Sequence, residues 1–409
     1  MRSHVVLVPG FGGFDGLGQL RYYSRVTETF AEWRQARPAA RSASLHYFDN
    51  LPTASVKTRA RKLRRFLVKL VERNIVQGDD EIVIAGHSTG GLDIRQLVVD
   101  LMRDGDVGLL QRIHRLVFLS VPHRGTNLAD WVKAHERWRK FLIWMFRGAV
   151  GFDVQLPIPG WFVNGLAPGH AALFDAVADV RCDFEPRSTD GLDVADARAA
   201  RAEVELWLTH TNDDFLAIDD LASAQPGGTR LVDDVERELA AWAARGITTR
   251  SYATVGRSPF DVDDLRRDRS QRSVLDVMRS VRKDIADTDA VYRAAYTACA
   301  GGPFRGLARG PVPWLPGCGP TGASGDYTPE DWDNDGIVNT ASMVLPGGTT
   351  WLVPGDHADI IGHHEPRPNL GAVPGSRKYD AYDLLESGSA FMPTTFVKVW
   401  FDVFDFAAP

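Results

Sequence analysis

Cysteine is scarce in this chain and is not arranged for structural duty. The three cysteines, Cys182, Cys299 and Cys318, are an odd number without CxxC spacing. That pattern argues against a zinc site and against a disulfide framework, and it leaves one pair open. Long apolar runs are also missing: none reaches the ~18 residues that a membrane-spanning helix needs. Neither sign of charge dominates. Lysine and arginine number 47 against 53 aspartate and glutamate, a net charge of -6, so nothing global favours nucleic acid. No repeat or low-complexity stretch is present. The first strand begins at His4, which leaves no room for a signal peptide before it. The expectation is a soluble, cytoplasmic protein; a leader removed beforehand would imply secretion instead.

What is present is ample apolar material. The chain has 409 residues, of which 44% are hydrophobic, enough for a large core and, by length, for two or three domains. The rest is organised around residues 81–92, EIVIAGHSTGGL. A β-branched apolar run, Ile82 to Ala85, stops at Gly86-His87-Ser88-Thr89-Gly90. An amphipathic run then begins with Leu92, Ile94, Leu97, Val98 and Leu101. The pattern predicts a buried strand, a one-residue corner and a helix. Gly-x-Ser-x-Gly at such a corner is a nucleophile elbow. The glycines are required because the corner strains the serine backbone and side chains two residues away would clash. The hydroxyl of Ser88 would stand clear of the sheet, above a helix N-terminus that favours negative charge. The plainer alternative is a glycine-rich turn whose serine caps the helix.

An earlier apolar run, from His4 to Val8, breaks at Pro9-Gly10-Phe11-Gly12-Gly13-Phe14. The turn lacks the G-K-[ST] ending of a phosphate loop and does not match GxGxxG followed by a helix. Its backbone N–H groups are placed to meet a developing oxyanion, with Phe11 N–H and Thr89 N–H as donors. Residues 20–33 read as a helix, 43–48 as a strand and 53–74 as a helix. The last of these is dense in cations such as Lys57, Arg59, Arg61 and Arg65, which are expected on its solvated outer face. Residues 115–120 form another buried strand. Strands alternating with helices predict a mainly parallel sheet with its site at the strands' carboxyl ends.

The alternation stops at residues 127–245, which include a densely aromatic segment with Trp131, Trp138, Phe141, Trp144 and Phe146. Such length predicts a helical insertion, read as a cap over the site. The core is then 1–126 plus 246–409, interrupted by a charged helical and loop insertion at about 257–325. Residues 248–255 and 350–353 read as strands, and 393–404 as a closing helix.

A serine nucleophile needs a base and an orienting carboxylate, in chain order serine, acid, histidine. Among the late histidines His357, His363 and His364, His357 follows a short strand through a Pro-Gly turn. Asp335 lies on an Asn-Asp-Gly turn upstream, with Asp331, Asp333 and Asp356 as competitors. The assignment is Ser88 as nucleophile, His357 as base and then acid, and Asp335 holding the imidazole tautomer.

The segments VLVPGFGG, AGHSTGGLDIR, LSVPHRGTNLAD, WDNDGIVNTASM and GDHADIIG together resemble the α/β-hydrolase-fold bacterial lipases, in particular the thermophilic Bacillus-type and staphylococcal lipases. NDGIVNTASM and DHADIIG are the specific matches. The resemblance spans residues 4–362 but not 127–330. It implies an α/β-hydrolase core, a mainly parallel sheet with helices on both faces, a helical lid and carboxylic ester hydrolysis. It places the same triad on Ser88, Asp335 and His357, and the oxyanion donors on Phe11 and Thr89. This chain departs from the family in having Pro9-Gly10 where His-Gly is usual. Of the family's calcium site, Asp359 matches one ligand and Glu365 is the other weak candidate, with His364 where a carboxylate is expected. No counterpart of the family's zinc insertion is visible.

The expected activity is therefore ester hydrolysis by a lipase or carboxylesterase, on a small-molecule or lipid ester with an apolar acyl group. No cofactor is required, and calcium is doubtful. A transient contact with a lipid interface is open, as is the oligomeric state. The rival readings are acyl transfer or thioester cleavage on the same fold, and a non-catalytic binding protein on a hydrolase scaffold.

Overall fold

The computed structural model describes residues 1–11, 16–17, 20–38, 42–48, 50, 55–135, 220–221, 235–259, 288–301, 304, 310–319, 325–364, 385 and 387–409. The six main strands are β1 (Ser3–Val8), β2 (Ala43–Tyr47), β3 (Glu81–His87), β4 (Ile113–Leu119), β5 (Thr248–Val255) and β6 (Thr349–Pro354). They form one sheet in the order β6-β5-β4-β3-β1-β2, and every pairing is parallel.

Parallel strands require crossovers, and here helices supply them on both faces. Residues alternate along each strand, so Val6, Ile82, Ile84, Leu116 and Phe118 point to one face. There they meet α2 (Val56–Glu72), α3 (Thr89–Asp104) and α5 (Val235–Ala243) through Leu63, Leu67, Leu97, Val98 and Trp242. Val5, Leu7, Val83, Val117 and Leu119 point to the other face. They meet α1 (Val26–Ala36) and the C-terminal α7 (Pro393–Ala407) through Phe30, Trp33, Val399, Trp400 and Phe404. Strands covered on both sides are why these sequence runs are continuously apolar rather than alternating. Two further helices, α4 (Asn127–Ala134) and α6 (Thr288–Ala300), pack near the carboxyl end of the sheet. This is an α/β-hydrolase fold.

The register collects the chemistry along one edge. Val8 pairs with Gly86, His87 with Leu119, Leu119 with Tyr252, and Pro354 with Val255. The loops that follow β1, β3, β4, β5 and β6 therefore leave the sheet at one level.

Two expectations need correction. The helix expected over 20–33 begins only at Val26. Leu20–Arg21 instead pairs with Gly16–Leu17 in a short antiparallel ladder, Ser24 N–H donates to Ile361 O at 2.9 Å, and Arg25 takes a left-handed φ of 62°. Backbone groups spent in this way cannot join a helix. On α2 the cations do not all face solvent, because Arg59 is fully buried. Cys299 and Cys318 are free thiols, and Cys182 lies outside the described residues. The expected cap (127–245) and charged insertion (257–325) fall largely outside them too, although α5 at the end of the first packs on the sheet. Among the described residues, no helix is long and apolar enough to cross a membrane.

Candidate active site

Ser88 stands between β3 and α3 with φ 54° and ψ -132°, a conformation that L residues rarely adopt. Its N–H donates to Leu119 O at 2.9 Å, and its carbonyl accepts Gly91 N–H at 3.0 Å. The glycines are there for space. A methyl on Gly86 would come within 2.6 Å of the Ile94 side chain, and one on Gly90 within 2.7 Å of Pro9 O. The elbow is therefore a steric consequence of bringing β1, β3 and α3 together at one point.

The Pro9–Phe11 turn lies against this corner. A methyl on Gly10 would be 2.6 Å from Ser88 Cβ, so the turn and the serine are in van der Waals contact. Gly10 N–H is already used, donating to Tyr22 Oη at 2.8 Å. Phe11 is the next residue of the turn, and Thr89 opens α3 directly after Ser88. Residues 12–15 lie outside the described residues.

His357 follows β6 through Gly355, whose φ is 159°. Its N–H donates to Asp335 O at 3.0 Å. Its Nδ1 lies 2.6 Å from Asp335 Oδ2. An ionised carboxylate only accepts, so Nδ1 carries the hydrogen of this contact, and in the neutral ring that leaves the lone pair on Nε2. Asp335 is wholly buried and every lone-pair region is occupied. Oδ1 accepts Ile337 N–H at 3.0 Å and Val338 N–H at 2.8 Å. Oδ2 also accepts the Thr254 hydroxyl at 2.7 Å. Four donors hold this carboxylate in one orientation.

The histidine loop is tied to the elbow by His87. Its Nε2 donates to His357 O at 2.9 Å, and its Nδ1 accepts from Tyr22 Oη at 2.6 Å. The two imidazole rings are 4.6 Å apart between centroids. Burial, with the neighbouring His357 second, pushes the His87 pKa well below the usual range, so it is neutral and its tautomer is fixed. Tyr22 thus joins the glycine turn, the residue before Ser88 and the histidine loop in one chain of hydrogen bonds.

A second buried network lies behind Thr89. Arg59 Nη2 donates to Thr89 Oγ1 and to Asp93 Oδ2, both at 2.7 Å. Asn50 Nδ2 donates to Asp93 Oδ2 at 2.9 Å. Burial pushes the Asp93 pKa up to about 6 against the pull of Arg59.

The competing acids have other partners. Asp333 accepts the Tyr327 hydroxyl at 2.6 Å. Asp356 accepts Ala358 N–H at 2.8 Å and the Ser387 hydroxyl at 2.6 Å. Asp359, the candidate calcium ligand, accepts Asp356 N–H at 2.8 Å and the Ser389 hydroxyl at 2.6 Å on one oxygen. His364 packs between the tilted rings of Phe391 and Phe396, and burial lowers its pKa to about 4. Hydrogen-bond donors and an imidazole in an aromatic wall do not fit a hard cation that wants oxygen ligands. Glu365 lies outside the described residues, among which no three metal-ligating side chains converge.

Sequence reasoning missed Tyr22, His87, Thr254 and Arg59. His87 lies inside the Gly-x-Ser-x-Gly motif and was open to notice. Thr254 and Tyr22 carry no motif, and only the folded register brings them to the site.

A parallel sheet carrying a strained serine between strand and helix defines the α/β-hydrolase class. No family model matches this chain, and no curated protein matches it. Solved structures do. Staphylococcus hyicus lipase is similar at 14% identity and TM-score 0.42, over 99% of this chain and 95% of that one. Pelosinus fermentans lipase 1 is similar at 17% identity and TM-score 0.41, over 88% and 94%. The mature form of Bacillus licheniformis lipase BlEst2 is similar at 11% identity and TM-score 0.39, over 88% and 86%. These three neighbours are bacterial lipases, and likeness of this strength does not define a substrate.

Proposed function

We propose that the protein is a serine hydrolase of carboxylic esters, a lipase or carboxylesterase working without a metal. The observation that carries this reading is the His357 Nδ1 to Asp335 Oδ2 hydrogen bond of 2.6 Å, on a loop that His87 holds beside Ser88.

In this mechanism His357 Nε2 takes the proton from Ser88 Oγ as that oxygen attacks the ester carbonyl. The carbonyl oxygen gains the electron pair and accepts from Phe11 N–H and Thr89 N–H. Each such donor is worth roughly 3 kcal/mol of barrier. His357 returns the proton to the leaving alkoxide, and an acyl group remains on Ser88. Water then attacks, His357 takes its proton, and the acid leaves as Ser88 recovers its hydrogen. Asp335 keeps its charge throughout and stabilises the imidazolium. The aromatic stretch between α4 and α5 is proposed as a cap that presents apolar surface to the acyl chain, and brief contact with a lipid interface fits that role.

The test is hydrolysis of p-nitrophenyl esters from acetyl to palmitoyl, by the wild type and by Ser88→Ala, with and without EDTA. Activity that is lost in Ser88→Ala and indifferent to EDTA is the expected result. The chain-length optimum then separates esterase from lipase. Transfer of the acyl group to an added alcohol in preference to water would replace hydrolase by acyltransferase. No turnover and no labelling of Ser88 by a fluorophosphonate would leave only a binding scaffold.

A further inference from the structure

Asp335 Oδ2 receives two donors of different kinds. One is His357 Nδ1–H at 2.6 Å; the other is the Thr254 hydroxyl at 2.7 Å. Thr254 is fully buried near the end of β5. Its carbonyl accepts the Thr340 hydroxyl at 2.8 Å, which fixes its backbone. Its own hydroxyl has a single hydrogen, and the carboxylate, which cannot donate, claims it. The Ser120 hydroxyl, 2.8 Å away, must then be the donor to Thr254 Oγ1. Ser120 is fully buried at the end of β4, with a left-handed φ of 49°. The result is a directed chain, Ser120 to Thr254 to Asp335, that ends on the same oxygen as the imidazole.

We infer that Thr254, oriented by Ser120, is a positioning residue that sets how strongly Asp335 holds the proton on His357. This rests on the triad proposed above. The physical argument is competition for one oxygen. While Thr254 donates to Oδ2, part of the carboxylate's charge is neutralised there. Without that donor, the His357 N–H becomes the sole partner of Oδ2. The imidazolium then gains more from Asp335 than the neutral imidazole does. His357 keeps its second proton to higher pH, and the free base needed for attack is scarcer at low pH.

The other groups facing the pair leave the field to Asp335. His87 is held neutral by burial, and burial likewise raises the thiol of Cys299 and the phenol of Tyr292, both on α6, out of the working range. Asp356 and Asp359 of the histidine loop and Asp333 of the acid turn are further buried carboxyls nearby, and none of them changes in the variants below.

The experiment is the pH profile of kcat/KM on a p-nitrophenyl ester for the wild type, Thr254→Val and Thr254→Ser. Downfield proton NMR of the His357 Nδ1–H line in the uninhibited enzyme accompanies it. Valine keeps the shape and removes the donor. The acid limb of Thr254→Val should move up by roughly one pH unit, about a tenfold loss of rate on that limb. The Nδ1–H line should move with it, and serine should restore both. A uniform fall at all pH values, or an unmoved limb with an unmoved NMR line, overturns the inference. If Thr254→Val does not fold, Thr254→Cys, a weak donor of similar shape, should give a smaller shift in the same direction, and no shift overturns it. The NMR line is read without turnover. A wild type inactive on every ester therefore sinks the hydrolase reading and leaves the hydrogen-bond competition still testable.

Discussion

At the residue scale the site depends on hydrogen bonds that the proposed triad does not include. Tyr22 Oη accepts from Gly10 N–H and donates to His87 Nδ1, so one phenol serves both the turn proposed to hold the oxyanion and the residue beside the proposed nucleophile. Tyr22→Phe keeps the ring and deletes both bonds. It leaves Gly10 N–H and His87 Nδ1 unpaired in a buried place, which costs on the order of 2 kcal/mol of stability. Loosening the turn should lower kcat by roughly tenfold to a hundredfold with KM nearly unchanged, because the lost alignment matters in the transition state. Steady-state kinetics beside a urea melt check both. An unchanged kcat would detach Tyr22 from the reaction. The triad candidates were legible in the sequence because each carries a local signal: Ser88 its flanking glycines, Asp335 an Asn-Asp-Gly turn, His357 a Pro-Gly exit from a strand. Tyr22 had the opposite signal. Its neighbours fit a helix from residue 20, and only tertiary use of Leu20–Arg21 and Ser24 moves the helix start to Val26. His87 precedes Ser88, and the serine, acid, histidine order that points to His357 says nothing about a supporting role.

At the element scale, α2 and α3 are joined by an ion pair as well as by apolar packing. Arg59 of α2 and Asp93 of α3 are both fully buried, with their closest atoms 2.7 Å apart. Spacing places Arg59 on the same helix as exposed Lys57 and Arg61, and nothing local distinguishes the buried cation from its neighbours. Removing one partner of such a pair strands the other's charge and costs about 3–5 kcal/mol, whereas exchanging both for apolar groups is often neutral. Arg59→Met is therefore expected to be strongly destabilised, and Arg59→Met with Asp93→Leu to recover most of the loss in a double-mutant cycle. Activity should not recover with stability. Arg59 also donates to Thr89 Oγ1, and its buried charge lies behind the amide proposed to hold the oxyanion. The folded double variant should stay at least about tenfold down in kcat. Full kcat in that variant would reduce the pair to a structural tie. The strands, by contrast, were read nearly to their ends, since burial on both faces writes a continuous apolar run that few other environments demand.

For the whole molecule, the buried histidines set the direction of acid sensitivity. His46 and His364 are each pushed down to about 4, chiefly by burial, and His4, His87 and His123 are lowered for the same first cause. A histidine lowered in the folded state takes its proton more readily when unfolded. Its contribution is complete above the unfolded value near 6.5, shrinks as pH falls, and is gone below the folded value. Asp93, raised to about 6, and Asp333, also raised, act in the reverse sense, because their folded forms accept protons first. Among the described residues, five lowered imidazoles outnumber the two raised carboxyls, and the lowered Asp80 and Asp104 act in the same direction as the imidazoles, which leaves a net loss on acidification. Urea midpoints should fall between pH 7.5 and pH 5, by a few kcal/mol in unfolding free energy, roughly one to two per strongly shifted histidine after allowing for partial exposure. His364 offers the sharpest check. It lies 5.1 Å from Phe391 and 5.2 Å from Phe396 between ring centroids, in an apolar wall where leucine would fit as well. His364→Leu removes one acid-labile group and leaves the triad untouched. It should raise stability at pH 5 by more than it does at pH 8, so the gap between the two pH values narrows. An equal change at both would mean that His364 does not titrate with unfolding, and the acid sensitivity would then have to come from the other four.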